Sequence, residues 1–184
     1  MAKREPKAAS TMAEATTTLA PLLDTNEGDT RFRELLHNIF AFSGKLEAIR
    51  SEFGKIIGLT GIEFTCLIAT AHLHEKEKVY VNSLADHLHL SGAFITLQTN
   101  KLAKKGYLSK TKDSNDARRV QLEVTEAGHK ALASLGPTQQ QVNDILFARI
   151  DQQNFVALCQ AFRLLVGNSD QAFNLASYLS NSAA

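Results

Sequence analysis

Seven basic side chains fall within nineteen residues near the middle of this chain: Lys101, Lys104, Lys105, Lys110, Lys112, Arg118 and Arg119. Only Asp113 and Asp116 oppose them, so the stretch carries a net +5 in a chain whose total is +1. The remaining residues therefore sum to −4. Ammonium and guanidinium groups gathered this closely neutralise phosphates, and a basic patch on a mildly acidic body points to a polyanion partner. Thr96 and Asn100, just upstream, have the hydrogen-bonding groups that read base edges, with Asn100 the better placed. The lysines would position the protein on phosphates without specifying sequence.

Other reactive residue types are present but poorly arranged. His72 and His74, and His87 and His89, are paired at i, i+2, which on a helix sends two imidazoles to different faces. Cys66 and Cys159 show no CxxC spacing, which suits free thiols in a reduced compartment, and Cys66 lies among Phe64, Leu67 and Ile68 as a buried, inert thiol would. No Gly-rich phosphate loop, HExxH or Gly-x-Ser-x-Gly occurs. The His pairs with Glu75 or Asp86 are the sole catalytic material, so an enzyme is not expected, and neither a metal nor a cofactor is assigned.

The elements that must hold these groups follow from periodicity. With 184 residues and 44% hydrophobic content, the chain fits one domain of ordinary size. No apolar run reaches the roughly 18–20 residues of a membrane span. The N-terminus lacks a secretory signal's apolar region, so a cytoplasmic location without membrane contact is expected. Residues 1–28, rich in Ala and Thr, suggest a flexible tail. From Asp29, apolar residues recur at three- and four-residue steps to Ile57, predicting a long amphipathic helix in which Gly44 and Gly54 allow close approach of a neighbour. A second helix starts at a Thr60 cap. Two short helices follow, the first capped by Asn82, the second running from Ser91 to about Lys105 and stopped by Gly106. YLSKTKD and RRVQLEVTE alternate as a two-stranded hairpin. Thr125 caps a helix through Ile150, kinked or restarted at Gly136-Pro137; Asp151 caps the next, and Ser169 or Asp170 begins a last one through Leu179.

Two short helices with a tight turn, the second basic, form a helix-turn-helix whose second helix can enter a major groove, and the hairpin after it makes a wing. The fold is thus mainly α with a small β wing. Three features carry a family resemblance: LAKKGYL at the end of the recognition helix, DSNDARRVQLEVTEAG along the wing, and the long flanking helices. Residues from about Gly58 to Gly128 resemble the winged-helix core of the MarR family, the multiple-antibiotic-resistance-type transcriptional regulators. The resemblance implies a winged helix-turn-helix domain flanked by long N- and C-terminal dimerisation helices. Its divisions would be a tail at 1–28, a dimerisation helix at 29–57, the DNA-binding region at 58–128 and C-terminal dimerisation helices at 129–184. It also implies a homodimer on palindromic double-stranded DNA, acting as a repressor released by a small molecule. The chain departs from the family's wing at Asn115 and Ala117, where arginines are common. Asp113, Asp116 and Arg118 remain, and the resemblance implies that the acids pair with Arg118 to fix the wing. Weaker minor-groove readout is expected, with Arg119 as a substitute phosphate contact.

If Ile95, Thr99 and Leu102 face the core, helical steps of about 100° put Ala93, Thr96, Leu97, Asn100 and Lys104 on the opposite side. Ser91 and Gly92 would let backbone N–H groups approach a phosphate. Leu97 would touch a thymine methyl, or else pack on Phe94 or the wing. The effector pocket implied by the family would draw on His37, Phe40, Ser43, Arg50, Phe64 and His129. An aromatic carboxylate or its CoA thioester is the expected ligand. A metal- or redox-responsive regulator of the same fold, and a winged-helix protein-interaction module, remain as alternatives.

Overall fold

Glycine sets how the first two helices meet. The computed structural model describes Thr17, Thr18, Leu22, residues 29–113, Asp116 and residues 118–182. Helix α1 spans Thr30–Ile56 and α2 spans Gly61–His74, the two bent from one another by 85°. A Cβ on Gly54 would lie 2.8 Å from the Leu59 carbonyl oxygen and 2.9 Å from that of Thr60, so only glycine lets the chain turn back this tightly. Gly44 has nothing within 4 Å of its would-be Cβ. Thr60 starts α2 with a reciprocal cap: its hydroxyl accepts from the Glu63 N–H at 3.3 Å, and the Glu63 carboxylate accepts from the Thr60 N–H at 2.8 Å. No single helix among the described residues is long and apolar enough to cross a membrane.

The chain then forms β1 (Val79–Tyr80), α3 (Val81–Leu88), α4 (Gly92–Lys104), β2 (Leu108–Lys112) and β3 (Val120–Val124). The expected two-stranded hairpin is present, with Leu108 opposite Val124 and Lys112 opposite Val120. It belongs to a three-stranded sheet in the order β1-β3-β2, because Val79 and Tyr80 pair with Leu122 and Gln121. Two residues are too few for alternation to announce a strand. Pairing there also moves the start of α3: Tyr80, not Asn82, is the N-cap, and the Ser83 hydroxyl accepts from the Tyr80 N–H at 2.9 Å. Between α3 and α4, His89 takes a left-handed conformation at φ 52°, and the Leu90 N–H reaches back to the Ala85 carbonyl at 3.0 Å. Gly106, at φ 79°, ends α4 as expected. Phe64, Leu67, Val79, Leu84, Ile95, Leu102 and Leu122 are fully buried, so the core lies between α2, the α3–α4 pair and the sheet.

Helix α5 spans Glu126–Leu146 and α6 spans Gln152–Ser182. Two expected restarts do not occur. Pro137 lies inside α5, where it removes one hydrogen-bond donor and faces solvent, a cost of about 3 kcal/mol that a long helix can carry. The Ser169 hydroxyl donates to the Val166 carbonyl at 2.7 Å instead of capping a new helix, so α6 runs through it. Asp151 does cap α6, accepting from the Asn154 N–H at 2.8 Å. The described residues divide into two compact units that meet in sequence at Leu135 and Gly136. In the first, Leu135 is fully buried; in the second, α6 has no buried residue at all.

Candidate nucleic-acid interface

The outward face of α4 comes from its register against the core. Ile95, Thr99 and Leu102 are fully buried, while Ala93, Thr96, Leu97, Asn100 and Lys104 are exposed, Leu97 at 52%. Ser91 caps the helix, its hydroxyl accepting from the Phe94 N–H at 3.2 Å, and Gly92 follows at the positive helix end. The Thr96 hydroxyl donates to the Gly92 carbonyl at 2.8 Å, which leaves its lone pairs outward. Phe94 and Leu97 both stand in solvent on this face.

Lys110, on β2, reaches across to α4. Its ammonium donates to the Thr99 hydroxyl at 3.0 Å and to the Asn100 amide oxygen at 2.7 Å. Partial burial pushes its pKa below the ordinary lysine value. Lys105 turns the other way: it donates to the Gly58 carbonyl at 3.0 Å and to Glu63 at 2.9 Å. Glu63 is buried, which by itself would raise its carboxyl; the Thr60 N–H and the Lys105 ammonium outweigh burial and hold it below the ordinary value. Lys105 therefore braces the end of α4 against α2, while Lys101, Lys104 and Lys112 are exposed, with no hydrogen-bond or ion-pair partner among the described residues.

The wing is latched by an aromatic ring that the sequence did not single out. The Tyr80 hydroxyl donates to Asp113 at 2.6 Å, and the Arg119 guanidinium lies 3.7 Å above the same ring. The bond to Asp113 raises the Tyr80 pKa, helped by burial and by the carboxylate's charge. Asp113 also accepts from the Asp116 N–H at 3.1 Å. The expected pairing of acids with the Arg118 side chain is replaced: Asp116 accepts from the Arg118 backbone N–H at 3.0 Å, and Arg119 supplies the cation over Tyr80. A short strand neighbour explains this, since β1 delivers Tyr80 beside β3 at the level of Gln121. Asn82, Thr96, Lys110, Arg118 and Arg119 line a hollow of about 150 Å³ between wing and recognition helix. Asn115 lies outside the described residues.

Residues 63–120 match the family model described as the MarR family. That stretch, just under a third of the chain, is similar to the MarR family. The relatives that it matches are transcriptional regulators. The HTH-type transcriptional regulator SarZ of Staphylococcus epidermidis is 28% identical over 103 residues, covering 55% of this chain and 70% of SarZ. The transcriptional repressor MprA of Escherichia coli is 28% identical over 127 residues, covering 69% of this chain and 72% of MprA. The solved structure of a MarR protein from Peptoclostridium difficile shares the fold, with a TM-score of 0.66 at 19% identity over 88% of this chain and 99% of that one.

The residues expected around an effector are not all brought together in this chain. Ser43 and Arg50 line one hollow of about 270 Å³ with Leu46, Glu47, Gly61, Ile62 and Thr65. Arg50 Nε donates to the Thr65 hydroxyl at 2.9 Å, and burial depresses its pKa although the nearby Cys66 opposes the shift. Phe64 is a core residue instead, 2% exposed with its ring edge-on to Phe53. His37 and Phe40 are exposed along α1, and His129 is exposed on α5; none lines the hollow. The Cys66 thiol is fully buried, which pushes its pKa up to about 11, with Glu63 adding to the rise. Among the described residues no three His, Cys, Asp or Glu side chains converge as a metal would need.

Proposed function

We propose that this chain is a MarR-type transcriptional regulator that acts in the cytoplasm as a homodimeric repressor of a two-fold operator and is released by a small organic anion. The observation that carries this reading is α6. Its 31 residues bury nothing within the single chain, yet Phe155, Leu158, Phe162 and Leu165 recur at the three- and four-residue spacing of a helix seam. A second copy seated on that seam would present two α4 helices to DNA, and two-fold protein symmetry asks for a palindromic site. The repressor MprA supports the direction of control. The half-buried Arg50 beside Ser43 supports a carboxylate ligand, an aromatic acid or its CoA thioester, in the α1–α2 hollow.

The test is equilibrium binding to the duplex upstream of the coding region, against random duplex, over a salt series. Selective binding whose log K falls about 0.9 per phosphate neutralised is the expected result. Aromatic acids and their thioesters are then titrated against that complex. Arg50→Met should keep DNA affinity and lose the release. A protein that binds both duplexes equally would instead favour a winged helix serving a protein partner.

A further inference from the structure

The contact between Lys110 and Asn100 fixes which hydrogen bonds α4 can offer a base. Lysine has donors only, so the Asn100 atom 2.7 Å from its ammonium must be the amide oxygen. Lys110 is itself anchored from behind, because the Thr99 hydroxyl that accepts from it at 3.0 Å gives its own proton to the Ile95 carbonyl at 2.9 Å. Thr99 and Ile95 are fully buried, so this chain of bonds is rooted in the core. Asn100 is exposed, and among the described residues nothing accepts from its amide nitrogen. A free asparagine offers a donor and an acceptor together, which matches adenine's N6 and N7. Lys110 occupies one lone pair of the oxygen and sets a positive charge beside it, whereas the two N–H groups are wholly uncommitted among the described residues.

We propose that Lys110 biases Asn100 to read bases as a donor, so that the recognition helix selects guanine, whose N7 and O6 are both acceptors, over adenine. Thymine, with its O4 acceptor, is second. Lys110 is then a positioning residue for sequence specificity and not one more phosphate contact. The inference rests on sequence-specific DNA binding by this chain.

Full-length protein would be taken through rounds of selection from a randomised duplex library, and the enriched sites compared between wild type, Asn100→Ala, Lys110→Met and Lys110→Arg. Far-UV circular dichroism checks that each variant folds. Wild type should enrich guanine, or secondarily thymine, at one position per half-site, and Asn100→Ala should relax that position alone, by about tenfold. Lys110→Met keeps the aliphatic stem and frees the amide oxygen, so the same position should turn toward adenine. Lys110→Arg retains a donor and should keep guanine. Should Lys110→Met not fold, the exposed Asn100→Ala change and the wild-type preference decide the matter between them. Adenine or cytosine at the Asn100-sensitive position, no change with Asn100→Ala, or an unaltered preference in a folded Lys110→Met protein would overturn the inference while leaving DNA binding intact. A library from which wild type enriches no sequence would overturn both.

Discussion

Lys105 and Lys104 are neighbours in sequence with opposite employments. Lys105 spans from α4 to the buried carboxylate of Glu63, so its charge is spent inside the protein; Lys104 points to solvent. Replacing Lys105 with methionine should lower stability by about 1–2 kcal/mol, less than a fully buried pair because the lysine stays 38% exposed, and should leave the salt slope of DNA binding unchanged. Lys104→Met should do the reverse, reducing that slope by about 0.9 with no change in Tm. Denaturant titration and the salt series separate the two. The depressed Glu63 carboxyl gives this brace an acid limit. Its contribution is fully present above the ordinary glutamate value and is lost as pH falls through the lower folded one. Glu63→Gln should flatten the loss of stability over that acid range, as followed by Tm against pH.

At the scale of elements, two glycines in one helix and one tyrosine at a strand end make contrasting tests. Gly44 stands free in α1, so Gly44→Ala should stabilise the chain by up to about 1 kcal/mol through helix propensity. Gly54→Ala would push a methyl group into the carbonyls of Leu59 and Thr60, where backbone cannot yield, and should cost about 1–3 kcal/mol. Thermal melts of the pair read opposite signs. Tyr80→Phe keeps the ring under Arg119 and removes only the bond to Asp113. The wing should loosen, with DNA affinity falling while Tm stays nearly constant.

At the scale of the whole molecule, what matters is apolar surface left without cover. Phe40 on α1 is 76% exposed, and along α6 Phe162, Leu165, Phe173 and Leu179 are all exposed. Phe162→Glu places a charge on the proposed seam and should convert a dimer to a monomer by sedimentation, with operator affinity collapsing as the second half-site contact is lost. A dimeric wild type should also show a Tm that rises with protein concentration. A Phe162→Glu protein that still sediments as a dimer would remove α6 from the interface.

Much of this protein was set by sequence alone. Periodicity placed the helices, Thr60 and Gly106 marked a start and a stop, and the α4 register followed from helical steps, because each depends on residues within a few positions of one another. The end of the recognition helix, the wing motif and the long flanking helices were enough for the family resemblance. Composition could count seven cations, but not which way they point. That Lys105 turns to Glu63, Lys110 to Asn100 and Arg119 to Tyr80 depends on partners 42, 10 and 39 positions away, which only folding brings within reach. The third strand was hidden for the same reason, since two residues acquire strand character only when β3 lies beside them. Local chemistry wrote the elements, and tertiary packing decided which charges remain for DNA.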